Sequence, residues 1–372
     1  MNKKLFALTA ASIMAMSCFA GCGKKDDADG ATEAASESTN YSVNLSSAPL
    51  LDGDVNDIVM SKDGMVISDL TGEWVTPEQN EKRPVACMVN NIIDSMPQSG
   101  VAQADIIFEF LEEGGITRLM PIYSNWDGLE KIGSCRSARY YYDRKAVEFD
   151  AIFVHFGQNY LAEQDFETYN FLDQIDGNGK DNEYFYRTED REAPHNAYTS
   201  GKGFDGAIKA NGFETKHKDF YQKTFNFNLN DTVPEGGESA KKITTEFNPD
   251  RKPWFEYDEE SGKYLRFQYG DKQIDDTTGE QLAFENVIIQ FCKHDVVPGE
   301  EASDLQDIWL CGEGEGWYAS DGVIVPIKWE KEDGTDCTHY FTTDGQKLKM
   351  NPGKTWVTIF KDSNKEGIKV EK

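Results

Sequence analysis

Apolar and polar positions alternate from Asp105 to Leu111, with Ile106, Phe108 and Phe110 on one face and Ile107, Glu109 and Leu111 on the other. A period of two predicts a strand with two distinct faces. Glu112-Glu113-Gly114-Gly115 then predicts a turn, and Ile116 to Tyr123 the return strand of a hairpin. Val85 to Val89 and Ala151 to Phe156 are apolar runs of strand length. Between and after them the pattern turns helical. One helix is expected from a Ser137 cap to about Glu148, a second from about Tyr160 to Leu172, and a third, shorter one after Thr199-Ser200. Strands interleaved with helices predict a mixed α/β layer.

Beyond residues 228–241, which hold Pro234 and Gly236-Gly237, the character changes. Trp254 to Tyr257 and Tyr264 to Gln268 predict a hairpin. Asn286 to Phe291, Ile308 to Cys311, Val323 to Trp329, His339 to Thr342 and Trp356 to Phe360 predict further strands. Asp321-Gly322, Asp333-Gly334 and Asp344-Gly345 supply turns. Gly312-Glu313-Gly314-Glu315-Gly316 is expected to be a loop, and so is Asp176-Gly177-Asn178-Gly179-Lys180-Asp181, whose lysine stands where a calcium ligand would be needed. The fold class expected is α+β, an N-terminal mixed α/β sandwich-like domain followed by a β-rich C-terminal domain.

The N-terminus changes the picture. Lys3 and Lys4 precede an apolar run from Leu5 to Phe19, which ends in Phe19-Ala20-Gly21-Cys22. The run is too short to be read first as a membrane span. The pattern is that of a bacterial lipoprotein signal, removed before Cys22, with Cys22 lipidated. Residues 23–50 are rich in Ser, Ala, Asp, Glu and Asn and predict a flexible tether, about 30 Å across as a random coil. The expected organisation is a signal at 1–21, a tether at 22–50, a transitional segment at 51–82, an N-terminal domain at 83–227, a linker at 228–241 and a C-terminal domain at 242–365. The location expected is the outer face of the cytoplasmic membrane, with the membrane as a partner through the lipid.

The formal net charge is −28, and loss of the two leader lysines makes it −30. Such a charge argues against nucleic acid as a partner, since the whole surface would repel phosphates. Beyond Cys22 the cysteines are Cys87, Cys135, Cys292, Cys311 and Cys337, odd in number and without a CxxC pair. No zinc motif or disulfide framework is indicated, although Cys292 and Cys311 would pair if their strands were neighbours. No metal and no cofactor is expected.

Candidate chemistry gathers in the first domain. Glu109 lies on an otherwise apolar strand, Glu113 and Arg118 flank the following turn, and a buried carboxylate needs a partner such as Arg118. In Gly133-Ser134-Cys135-Arg136-Ser137-Ala138-Arg139, the two arginines are three apart at an expected helix start and would share one face. Cations there call for compensation, by Glu109, Glu113 and Asp143 or by a bound anion. His155 ends a buried strand, where α/β sheets form crevices, and His195-Asn196 lies in a loop downstream of Arg187 and Arg191. The candidate ligand-binding residues are therefore Arg118, Arg136, Arg139, His155, His195 and Asn196, and the candidate acid and base are Glu109 and Glu113.

Met96-Pro97-Gln98-Ser99-Gly100-Val101, Ala104-Asp105-Ile106, Glu113-Gly114-Gly115-Ile116-Thr117-Arg118, Arg136-Ser137-Ala138-Arg139, His155 and Ala193-Pro194-His195-Asn196 together resemble the YerB-like lipoproteins of Gram-positive bacteria. Asn286-Val287-Ile288, Trp329-Glu330-Lys331 and Pro352-Gly353-Lys354-Thr355-Trp356 extend the resemblance over about residues 80–362. Ser134-Cys135 replaces the Pro-Val that usually precedes the first arginine. The resemblance implies a lipid-anchored surface protein with a mixed α/β part and a β-rich part, and it implies no activity. Three readings stay open. One is a non-catalytic envelope protein binding a small anionic ligand or a cell-wall component. Another is a cell-wall hydrolase using Glu/His acid–base or metal chemistry. The third is an assembly partner docking an envelope protein through the β-rich domain.

Overall fold

The alternation in residues 106–111 reappears as two separate cores on the two faces of one sheet. A computed structural model describes residues 63–372, which belong to one compact unit. The signal, the tether, Cys22 and residues 51–62 lie outside the described residues. Across the main sheet the strands run Glu238–Ser239, Val323–Lys331, Gly312–Ser320, Asn286–Cys292, Thr355–Lys361, Ile106–Leu111, Thr117–Tyr123, Val85–Cys87, Ile152–His155 and Gln174–Asp176. His339–Thr342 pairs beside Val323–Lys331, and Val89–Asn90 beside Thr117–Tyr123. Thr355–Lys361 lies parallel to Ile106–Leu111, with Thr358 opposite Glu109, so strands from both halves of the chain share this sheet.

Ile106, Phe108 and Phe110 face a core shared with Tyr141, Tyr142, Ala146 and Val147 of the helix Tyr140–Glu148. Ile107 faces the opposite core with Leu119, Trp356, Phe255 and Tyr264. That second core is closed by a smaller sheet in which Lys263–Gln268, Trp254–Asp258, Lys242–Thr245 and Ile368–Glu371 pair in order. Trp356 is fully buried there, its ring set edge-on to both Phe255 and Phe284. The α-helices among the described residues all lie before residue 212, and strands dominate the rest of the chain. The fold is α+β.

Three local readings are corrected. The helix predicted from Ser137 begins at Tyr140, and Arg139 is its N-cap residue in extended conformation. Arg136 and Arg139 therefore precede the helix and do not share a helical face. The Gly312–Gly316 segment is strand, not loop. Two of its glycines are required by the strands on either side, since a Cβ at Gly314 would lie 2.5 Å from Trp329 Nε1 and one at Gly316 2.7 Å from the Ile289 carbonyl. The strand turns at Asp321-Gly322, both with positive φ (54° and 72°), as a two-residue hairpin of type I′ demands. Cys292 points into the first core and Cys311 is exposed, and both are free thiols. Among the described residues no helix is long and apolar enough to cross a membrane.

Candidate functional site

Three parallel strands, Val85–Cys87, Ile152–His155 and Gln174–Asp176, end together. Carboxyl ends of parallel strands leave a crevice, because the chain must turn away from each strand there. Here the 133–138 segment crosses those ends. Arg136 N donates to the Met88 carbonyl (3.0 Å), Ala138 N to the Gly157 carbonyl (2.9 Å), and Phe156 N to the Arg136 carbonyl (2.9 Å). A cavity of about 540 Å³ opens at this point, lined by Arg136, Gly157, Asp176, Asn178, Arg187 and Pro194 among others. The Asp176 carboxylate is partly taken up by its own turn. Its Oδ1 accepts from Gly157 N (2.7 Å) and Asn178 N (2.8 Å).

The three candidate arginines meet different fates. Arg118 is buried, with Nη2 2.7 Å from Glu112 Oε2, and it also donates to the Ser137 carbonyl. Arg139 grips Glu113 with two hydrogen bonds, Nε to Oε1 at 2.6 Å and Nη2 to Oε2 at 3.0 Å. Burial works against the Arg139 charge, but Glu112 and Glu113 outweigh it and raise its pKa. Arg136 is 3.2 Å from its one hydrogen-bond acceptor, the Pro194 carbonyl, and has no carboxylate partner among the described residues. Its Nε is buried without an acceptor. Burial, and then the nearby charge of Arg118, lowers its pKa to about 10, with Arg139 and Arg187 adding to the effect and Glu112 opposing it. It remains a cation at neutral pH. Arg187 stands beside it, stacked over Phe156 at 4.9 Å and donating to Asn196 Oδ1 at 2.7 Å.

Glu109 is not Arg118's partner. It is fully buried on the other face of the sheet, where Oε2 accepts from Arg266 Nη2 (2.7 Å) and Oε1 accepts from Thr117 Oγ1 (2.9 Å) and Asn91 Nδ2 (3.1 Å). Alternation explains this: residue 109 points with Ile107, away from the helix that bears the arginines' neighbours. Glu112, which the sequence pattern places in a turn, takes Arg118 instead. Asp143 does not pair with Arg139 either. Both its carboxylate oxygens are buried without a hydrogen-bond partner, and burial raises its pKa well above the ordinary value.

The histidines separate as well. His155 is fully buried, its Nδ1–H donating to the Gly157 carbonyl at 2.9 Å and its Nε2 lying 3.0 Å from Gln174 Oε1. Burial lowers its pKa despite Asp176, so the ring supports the Gly157 turn as a neutral group. His195 is half-buried and its Nδ1 accepts from Asn90 Nδ2 at 2.9 Å. Burial, then Arg136, lowers its pKa. Asn196 spans its own loop, its Nδ2 donating to the Thr188 carbonyl (2.9 Å). Of the candidates named from the sequence, Arg136 alone lines the cavity, with Arg118, Arg139, Glu113, His195 and Asn196 holding the wall behind it. Arg187 completes the cationic side. Its signal in the sequence was its place upstream of Ala193-Pro194-His195-Asn196, and the antiparallel pairing of Arg187 with Ala197 brings it in.

Residues 70–214 match the family described as protein of unknown function (DUF3048) N-terminal domain, and residues 243–357 match its C-terminal domain. The chain is 31% identical over 306 residues to YerB of Bacillus subtilis (strain 168), a protein named as a candidate lipoprotein, covering 80% of this chain and 87% of that one. It also resembles the crystal structure of YerB protein from Bacillus subtilis, with a TM-score of 0.72 and 29% identity, over 82% of this chain and all of that chain.

Proposed function

This chain belongs to the two-part DUF3048 family of YerB-like proteins, and on that premise we propose that it is a lipid-anchored envelope protein that binds an anionic ligand at Arg136. The anchor rests on Phe19-Ala20-Gly21-Cys22 and on the lipoprotein name of the relative. It would hold the protein at the outer face of the cytoplasmic membrane. One observation carries the ligand: among the described residues no carboxylate, Asp176 of the same crevice included, lies within ion-pair distance of Arg136, whereas Arg118 and Arg139 each have one. A planar guanidinium without a carboxylate partner favours a carboxylate or phosphate, which its terminal nitrogens can bind through two parallel hydrogen bonds. Arg187 adds a second positive charge, and the Gln158 and Asn178 side chains offer neutral polar contacts around it. A small carboxylated metabolite or the anionic end of a wall precursor peptide meets these requirements. Glu109 and Glu113 are both held in arginine ion pairs, which speaks for binding over acid–base hydrolysis.

Isothermal titration with carboxylated wall-peptide fragments, and separately with inorganic phosphate, tests the reading. Arg136→Ala should weaken the bound class by about 10- to 100-fold, the worth of a charge-assisted hydrogen-bond pair. An unchanged affinity for every ligand detected would defeat it.

A further inference from the structure

A second site with different chemistry lies in the β-rich half. The strand Val323–Lys331 ends, the chain turns through residues 332–338, and it returns as His339–Thr342, with Glu330 opposite His339. Three potential metal ligands of three different kinds meet where the turn enters the returning strand. Cys337 Sγ lies 3.7 Å from His339 Nε2, and Asp336 Oδ1 lies 3.7 Å from the same nitrogen. All three ligand atoms are within 4.8 Å of one another. Ligand bonds of about 2.3 Å to sulfur and about 2.0–2.2 Å to nitrogen and oxygen place atoms on a tetrahedral zinc roughly 3.4–3.6 Å apart. The two spacings to His339 need to close by only a few tenths of an ångström, and the spacing between Cys337 and Asp336, bounded at 4.8 Å, by up to about 1 Å.

The surroundings hold the group in place. The Asp336 carboxylate is oriented by two backbone donors, Cys337 N to Oδ1 (2.9 Å) and Glu332 N to Oδ2 (3.2 Å). Thr338, between the two other ligands, is pinned inward. Its Oγ1 accepts from Lys145 Nζ (2.8 Å) and donates to Glu148 Oε2 (3.0 Å). Lys331, on the preceding strand, pairs with Glu148 at 3.0 Å and also donates to the Asp336 carbonyl, so it braces the turn from the side of the backbone. Cys337 is buried, whereas the His339 side chain is 40% exposed. Both ring nitrogens of His339 already lie 3.7–3.8 Å from Cys337 Sγ. A cavity of about 420 Å³, with Asp333 and Glu332 on its wall, reaches Asp336 from the solvent side.

We propose that Asp336, Cys337 and His339 bind a divalent transition ion, zinc first among them, and so clasp the 332–338 turn to the returning strand His339–Thr342. Thiolate, imidazole and carboxylate together suit zinc, and reject magnesium and calcium, which prefer oxygen throughout. Three protein ligands leave a fourth position for water or for a ligand entering from the cavity. The sequence carried no hint of this. The i, i+1, i+3 spacing matches no zinc motif, and the three ligand atoms meet where the 332–338 turn enters the strand His339–Thr342.

The test uses the mature full chain under reducing conditions, with zinc alone titrated against a competing chelator and cobalt substituted in parallel. One ion per chain is expected, with a thiolate-to-cobalt charge-transfer band that Cys337→Ser abolishes and Cys311→Ser retains. Because Cys337 is buried, the half-exposed His339 gives the decisive variant. His339→Ala should weaken zinc at least tenfold while circular dichroism stays unchanged. Arg136→Ala should leave zinc binding as it was. No zinc taken up, no thiolate band in the unaltered chain, or equal affinity in His339→Ala would each overturn the proposal.

Discussion

Glu109–Arg266 and Arg136 are two answers to one problem, a charge placed inside a folded chain. Around Glu109 every partner is protein. Arg266 takes one oxygen, and Thr117 and Asn91 take the other. Gln268, Gln98 and Gln273 continue the network through Asn91. Arg266 itself lies over the rings of Trp356 and Phe255 at 4.4 Å and 4.6 Å. Both ions of the pair are fully buried. Arg136 sits at a strand-end crevice with a single carbonyl acceptor and a free Nε. A charge with its counter-ion inside the protein holds the fold together, even though Arg266 Nη1 is itself buried without an acceptor. A charge with an unmet need at an open cavity is where a ligand has something to gain.

The comparison breaks most visibly at Glu109. Glu109→Gln leaves Arg266 charged and buried without a counter-ion, and should cost about 3–5 kcal/mol in denaturant unfolding. A loss below about 1 kcal/mol would mean that the network is not a structural tie. The middle case is Glu113, whose carboxylate is partly exposed and clamped by Arg139. Burial acts to raise its pKa, but Arg139 and then Arg118 prevail and hold it below the ordinary 4.5. A depressed folded pKa contributes stability that is complete above the unfolded value, and that stability fades as the pH falls through the folded value. Glu113→Gln should therefore cost about 1 kcal/mol at pH 7. It should also flatten the loss of stability below about pH 4.5, as read from unfolding midpoints across the acid range. Smallest of all is the stability effect of Arg136→Ala, expected within about 0.5 kcal/mol because it leaves no charge unpaired and the carbonyl it releases, that of Pro194, is exposed. A loss of several kcal/mol there would class Arg136 with Arg266 and remove the reason to look for a ligand.

Much of the architecture was legible because it is written in short-range periodicity. The 106–111 alternation, the hairpin turn after it and the Asp321-Gly322 turn each depend on a few adjacent residues. Where neighbours in space are far apart in the chain, the reading failed in specific ways. Arg266 reaches Glu109 across 157 residues, and nothing near Glu109 announces it. The glycines of 312–316 look like a loop until Trp329 is packed against Gly314 and the Ile289 carbonyl against Gly316. The arginine motif was legible as a place of concentrated charge, but which of its arginines is unsatisfied depends on Glu112, whose side chain turns inward only in the folded hairpin.

By itself the sequence determined the α+β class, the order of most elements and the acidic net charge, and it carried the lipobox-like tetrapeptide ending at Cys22, because each follows from local pattern or from composition. Only the tertiary structure decided that Glu109 and His155 serve the interior and that Arg136 and Arg187 share a crevice. Those outcomes depend on which strand lies beside which, and strand order is set by long-range burial of two apolar faces rather than by any neighbouring residue.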